Sequence, residues 1–320
     1  MFRLTFLGTS AGLPTKHRNV SGLAVASVLK PSAKNAPWVL VDCGEGTQHQ
    51  LLKTPLKLAS LKAICITHLH GDHCYGLAGL LASLGMHGRT APLTIIAPKP
   101  LIKLLDAFSL VTELYFDYPV EFIAVEEMSE VVLDFGGGHT LGIEYVPLSH
   151  RMPSYAYKFY QRHSSERINT AYLTDLGVEK SDWRTYAKSH QPTDPKVMMT
   201  HTKQCCLVVA GDNDTPSLLT EAVMGAAALV HECTYTQAVA DKIAAKGAYN
   251  PMHSSAKDIA VFAQSVGLKN LILTHFSGRF AMFDEPDSPK ANMGHIRAEI
   301  ERYYDGRYVL AEDFLEVLIE

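Results

Sequence analysis

Long apolar runs are missing from this chain of 320 residues. None approaches the roughly 18 residues that a membrane-spanning helix needs, so a membrane protein is not expected. Paired cysteine spacing is missing too. None of the six cysteines (Cys43, Cys65, Cys74, Cys205, Cys206 and Cys233) forms a CxxC motif, and Cys205 and Cys206 are adjacent, a poor geometry for a staple. The pattern argues against a disulfide scaffold and for reduced thiols in a cytoplasmic protein. Low-complexity tracts and repeats of solenoid period are absent. So is any excess of positive charge. A formal charge of −4 counts against a protein that coats nucleic acid. Bound metal and local basic patches can still hold phosphate on an acidic protein. Met1-Phe2-Arg3-Leu4 runs straight into a strand-like segment, without the basic and apolar regions of a secretory leader.

What is present suits a folded α/β protein. Hydrophobic residues make up 47% and charged residues 19%, and the length allows a sizeable core without staples. Residues 3–7, 22–29, 38–42 and 61–67 are β-branched and apolar runs bounded by turn residues, which predicts strands. Residues 77–86 carry apolar side chains at helical spacing, 93–97 read as a strand and 98–109 as a helix. The second half repeats the theme. Strands are predicted at 207–211, 228–231 and 270–274, and helices at 217–225 and 255–266. Two successions of strands and helices around one core predict sheet layers covered by helices, an αββα sandwich. Residues 161–204 break the rhythm. The segment is polar, with Arg162, Arg167, Lys180, Arg184, Lys188, Lys196 and Lys203 interleaved with Tyr172, Trp183 and Tyr186. It is expected to be a long irregular insertion, of the kind that is functional or disordered.

The sharpest feature is Thr67-His68-Leu69-His70-Gly71-Asp72-His73. Three imidazoles and a carboxylate lie together directly after a predicted strand, where a loop can bring side chains to convergence, and this donor set suits zinc. His150, Asp212 and His275 each end another predicted apolar run. Taken singly, such residues are ordinary at strand ends. Together with the first cluster they supply the ligands of a dinuclear site.

With these residues in view, the chain resembles the metallo-β-lactamase superfamily, whose HxHxDH motif is followed by a His, a Gly-Asp and a Thr-His. It resembles the ribonuclease Z family in particular. Phe6-Leu7-Gly8-Thr9-Ser10-Ala11-Gly12-Leu13-Pro14 with Arg18-Asn19, and Asp42-Cys43-Gly44-Glu45-Gly46-Thr47-Gln48-His49-Gln50, are similar to its early motifs. His231-Glu232-Cys233-Thr234, His253-Ser254-Ser255 and Asp313-Phe314 are similar to its later ones. The resemblance implies an αββα metallo-β-lactamase fold with a protruding arm at about 161–204. It implies two zinc ions per subunit, with manganese as the alternative. One ion would take His68, His70 and His150, the other Asp72, His73 and His275, with Asp212 bridging. A hydroxide held between the ions would attack a phosphodiester. Asp72 would orient or deprotonate the water, and His253 would act as general acid with Glu232 fixing its tautomer.

The same resemblance implies a cytoplasmic homodimer that cuts the 3′ trailer from precursor tRNA. Arg18, Asn19, Ser254, Ser255, Ser277 and Arg279 would contact phosphate, Ser255 at a helix start that favours an anion. In the arm, Leu176-Gly177-Val178-Glu179-Lys180-Ser181-Asp182-Trp183 is similar to a family motif, yet Ser181-Asp182 stand where Gly-Pro is expected. No Gly-Pro dipeptide occurs in the chain. A hydrolase of small phosphodiesters or other small esters is therefore the alternative expectation. The two differ in whether precursor tRNA is cut.

Overall fold

A computed structural model of the chain describes residues 1–191, 193–247 and 250–320. Two seven-stranded sheets form its centre. Across the first, the order is Glu316–Ile319, Phe2–Gly8, Gly22–Ser27, Trp38–Val41, Leu61–Cys65, Leu93–Ala97 and Val120–Ala124. The early strands pair antiparallel, and from Trp38–Val41 onward they run parallel. Across the second, the order is Arg307–Leu310, Asn270–Thr274, Ala228–Glu232, Met198–Ala210, Ser154–Ile168, His139–Leu148 and Val131–Asp134.

Strand residues alternate between two faces, and here both faces are covered. Val39 and Val41 face the core between the sheets, whereas Trp38 and Leu40 face the outer helices. Leu207 and Val209 face the same inner core, whereas Cys206 and Val208 face outward. The helices Leu77–Met86 and Leu101–Thr112 cover the first sheet, and Ala256–Ser265 and Met293–Tyr303 cover the second. The layering is αββα, as the strand and helix successions predict. No helix among the described residues is long and apolar enough to cross a membrane.

The segment 161–204 departs from its expectation of irregularity. Strands Ser154–Ile168 and Met198–Ala210 pair in unbroken antiparallel register from Ala156↔Ala210 to Ile168↔Met198. The third strand leaves them after His163↔His139, so the outer part of the ladder runs on as a two-stranded ribbon. At its tip, helices Thr170–Asp175 and Trp183–His190 pack around Leu173, Ala187 and Val197. Polarity had concealed the strands, because a ribbon without a covering layer needs no apolar face. Of this segment, residue 192 lies outside the described residues.

Candidate metal centre

Six strand ends meet at one rim of the sandwich. Asp42 follows Trp38–Val41, His68 follows Leu61–Cys65, His150 follows His139–Leu148, and Asp212 follows Met198–Ala210. Glu232 closes Ala228–Glu232, and His275 follows Asn270–Thr274. Asp72 and His73 sit in the single helical turn Gly71–Cys74, which starts just after His70. Carboxyl ends of strands are where α/β sheets usually gather ligands. The two sheets can close up here because residue 211 is glycine. A Cβ there would lie 2.6 Å from Thr67 Cβ. Asp42 and His275 both adopt left-handed backbone (φ 59° and 57°). Such strain costs on the order of 1–3 kcal/mol per residue and concentrates at functional sites.

The side chains form two groups around one carboxylate. His68 Nε2 and His150 Nε2 lie 3.0 and 3.1 Å from His70 Nδ1. Opposite them, His73 Nε2 is 3.2 Å from His275 Nε2. Asp72 Oδ2 is 3.5 and 3.3 Å from these two nitrogens. Asp212 stands between the groups. Its Oδ2 faces His68 and His150 at 3.5 and 3.8 Å, and its Oδ1 faces His73 and His275 at 3.5 and 3.4 Å.

Bonds on the far side of each ring decide which nitrogen carries the proton. His150 Nδ1–H donates to Met252 O at 2.9 Å, and His73 Nδ1–H to Asp42 Oδ2 at 2.7 Å. The Thr67 hydroxyl donates to Asp42 Oδ2, so its oxygen accepts from His68 Nδ1–H at 3.1 Å. His275 Nδ1–H donates to Thr234 Oγ1 at 3.0 Å. Every one of these bonds leaves Nε2 bare and pointed at the centre. Lone pairs facing one another at such distances repel unless an electrophile stands between them. A divalent cation fits that requirement, and a set of imidazoles with two carboxylates suits zinc or a neighbouring transition metal.

The charges tell the same story. Burial pushes His73 down, but Asp212, Asp42 and Asp72 together carry it well above the ordinary imidazole value. Burial pushes Asp72 and Asp212 up, but the imidazoles around them hold both far below the usual carboxylate range. The centre rewards positive charge, whether a proton or a metal supplies it.

Beside the cluster, His253 Nδ1 lies 2.9 and 3.1 Å from the two oxygens of buried Glu232. Asn213 N–H donates to Glu232 Oε1 at 2.6 Å, and the Thr234 hydroxyl donates to Oε2. His253 Nδ1 is 3.7 Å from Asp212 Oδ2. Burial lowers the His253 pKa, but Glu232 and Asp212 raise it to about 9.

The expected phosphate contacts divide. Arg18 is buried, donating from Nη1 to Phe280 O, with its guanidinium over the Phe276 ring. The Ser254 hydroxyl donates to Asn213 O, and Ser255 is tied into a capping box with Asp258. Asn19 donates to Glu45 O and Asp313. The Ser254, Ser255 and Asn19 side chains have protein partners in place of an anion, whereas Nε and Nη2 of Arg18 are buried without a hydrogen-bond partner. Ser277 is half-buried, and exposed Arg279 stands over the Tyr235 ring, whose centroid is 6.0 Å from that of His253.

Three contributors carry no role in the sequence reading. Asp42 orients His73, Thr67 ties Asp42 to His68, and Gly12 N–H donates to Asp72 Oδ2 at 2.8 Å. Asp42 was within reach of the rule that selected Asp212, a carboxylate at the end of an apolar strand. The Gly12 contact joins residues 60 positions apart and leaves no local signal.

Comparison with known proteins agrees with this geometry. The family model of the metallo-beta-lactamase superfamily matches residues 25–212. Ribonuclease Z of Marinobacter nauticus is 41% identical, over 97% of this chain and 94% of that protein. Ribonuclease BN of Proteus mirabilis is 31% identical, over 97% and 98%. Among solved structures, the short form of human tRNase Z superimposes with a TM-score of 0.62 at 26% identity, covering 99% of each chain.

Proposed function

Because the chain belongs to the ribonuclease Z family of the metallo-β-lactamase superfamily, we propose that it is a zinc-dependent endoribonuclease that removes the 3′ trailer from precursor tRNA. The observation that carries this reading is Asp212, each of whose oxygens faces a separate group of imidazoles. His68, His70 and His150 would hold one ion, Asp72, His73 and His275 the other, and Asp212 would bridge. Two zinc ions so held supply Lewis acidity toward phosphate oxygens and a water acidic enough to attack phosphorus. Manganese is the alternative metal.

The chain's own residues do the remaining work. Asp72, fixed by the Gly12 amide, would orient the attacking water. Glu232 occupies Nδ1 of His253, so the proton that His253 can deliver is the one on Nε2. That proton goes to the departing 3′ oxygen as the bond from phosphorus to it breaks. The tRNA body keeps a 3′-hydroxyl and the trailer a 5′-phosphate. An imidazole held up to about 9 is protonated at neutral pH and ready to donate.

We read the chain as a single domain carrying an inserted arm at about 161–204 that grips tRNA. Exposed Arg167, Lys180, Arg184, Lys188 and Lys196 support this, since they can pair with phosphates. A homodimer is supported by exposed apolar side chains on one outer layer. Met86 is 89% exposed, Leu110 85%, Val111 79% and Tyr115 77%, and exposed apolar side chains suit contact with a second copy. All six cysteines are free, which supports a cytoplasmic setting.

The deciding experiment incubates zinc-loaded protein with a precursor tRNA bearing a 3′ trailer, beside chelated protein. The expected result is one metal-dependent cut just after the discriminator base. No cut, alongside brisk hydrolysis of bis(p-nitrophenyl) phosphate, would move the function to small phosphodiesters.

A further inference from the structure

We propose that Thr234 is a positioning residue that couples a metal ligand to the acid pair, its hydroxyl orienting His275 toward the ion and Glu232 toward His253. This inference rests on the two-ion reading and deepens it.

Thr234 is 1% exposed and lies two residues beyond the strand end that carries Glu232. Its backbone is pinned on both sides of His275. Cys233 N–H donates to Thr274 O at 2.9 Å, and Ser277 N–H donates to Thr234 O at 3.2 Å. The hydroxyl therefore has little freedom to choose other company. It has one proton to give and lone pairs to receive. Glu232 Oε2 at 2.5 Å and His275 O at 3.0 Å compete for the proton. The carboxylate is nearer and charged, so it takes the proton. The oxygen then accepts from His275 Nδ1–H at 3.0 Å.

The result is one continuous path: His275 Nδ1–H to Thr234, the Thr234 hydroxyl to Glu232, and His253 Nδ1–H to the same Glu232 oxygen. Both imidazoles are thereby held through Nδ1–H, which leaves the Nε2 lone pair of His275 to the ion and the Nε2–H of His253 to the leaving group. No other group on the path replaces the hydroxyl. Glu232 Oε2 is 4.0 Å from His275 Nδ1, beyond hydrogen-bond reach. Removing the hydroxyl would leave a buried N–H without an acceptor and Glu232 Oε2 with one donor fewer. Loss of partners behind metal ligands typically costs about 10–100-fold in metal affinity or activity.

The test compares Thr234→Val, Thr234→Ser and the unmodified protein, each loaded with zinc. Zinc retained against graded chelator is measured beside kcat and KM on precursor tRNA, with circular dichroism as the check of folding. The valine variant is expected to give up one of its two ions roughly 10–100-fold more readily and to lose kcat by a like factor, with KM unchanged. Serine, which keeps the hydroxyl and drops the methyl, is expected to restore both. Should valine fail to fold at this buried position, Thr234→Ala carries the same measurement. A folded valine or alanine variant with normal zinc retention and turnover overturns the inference alone. So does a serine variant as impaired as valine, since packing of the methyl would then be the cause. If the unmodified protein takes up no divalent metal, the two-ion reading falls and this inference falls with it.

Discussion

The rim and the arm of this molecule are built on opposite plans. At the rim, side chains from six strand ends crowd into one place, nearly all buried, and the outward ring nitrogens of His68, His73, His150 and His275 have named partners. His68, His73, Asp212 and His275 each expose less than a twentieth of their surface. At the arm, a ribbon leaves the sheet and ends in a tip whose buried side chains, among the described residues, are Leu173, Ala187 and Val197. Positioning metal ligands to within fractions of an ångström calls for over-determined geometry. Reaching along a large polyanion calls for length and charge, which a thin core can carry. If the comparison is sound, damage at the rim stops all hydrolysis, and damage at the arm touches only large substrates.

The largest effect is expected at the rim itself. His70→Ala removes the nitrogen that meets both His68 and His150. Cleavage of precursor tRNA and of bis(p-nitrophenyl) phosphate should both vanish, as they should on chelation of the unmodified protein. Full activity in the variant on either substrate would break the assignment of this cluster as the reactive centre. Next comes His253→Ala, which removes the proposed proton donor beside the cluster. General acids contribute typically 10²–10⁴-fold, so kcat on RNA should fall by about that factor with zinc content unchanged. Loss of zinc would instead make His253 part of the metal cage, joining Asp212 and His275, with which it already forms a compact group.

The two regions also differed in how readable they were. The cluster at 68–73 is compressed into six positions after an apolar strand, so chemistry and local structure point the same way. Asp212, His150 and His275 were legible through one rule, polar ligands at the ends of apolar runs, and the layering followed from the same runs. Asp42 obeys the same strand-end rule, but its task, like that of Thr67, is to hold other residues, and nothing in their spacing announces which ring each one orients. Ser254 and Ser255 show what spacing cannot convey: their types suit anions, but only the three-dimensional arrangement reveals that a carbonyl and a capping box already engage their hydroxyls. The arm was the least legible. A ribbon exposed on both faces has no apolar alternation to betray it.

Arm deletion sharpens the contrast. Replacing residues 169–197 by a tight turn joins Ile168 to Met198, which are already paired in register. Binding of precursor tRNA should weaken about tenfold or more. Its salt dependence should flatten by roughly 0.7–0.9 in log–log slope for each phosphate that the arm no longer neutralises. Hydrolysis of the small diester should be spared. Equal loss on both substrates would mean that the arm supports the fold of the rim, and the two plans would not be separate.

The smallest expected effect is the most discriminating about how the arm is held. Leu173 is the largest of the three buried side chains at the tip, where Ile168, Tyr172, Trp183 and Met198 pack around it. Polar ties support the same unit: Asn169 accepts from Tyr172 N–H and donates to Lys196 O, and Tyr172 donates its hydroxyl to Asp194. Truncating a buried leucine costs roughly 2–5 kcal/mol. A unit this small has little stability to spare, so Leu173→Ala should let the tip open without unfolding the sandwich. Amide hydrogen exchange should rise sharply across 169–197 while the strands 228–232 and 270–274 stay protected. Turnover of the small diester should not change, and tRNA affinity should fall by less than in the deletion, because the charges remain on the chain. Protection lost equally in the sandwich strands would show that the tip and the rim fold as one cooperative unit, despite the bare ribbon between them.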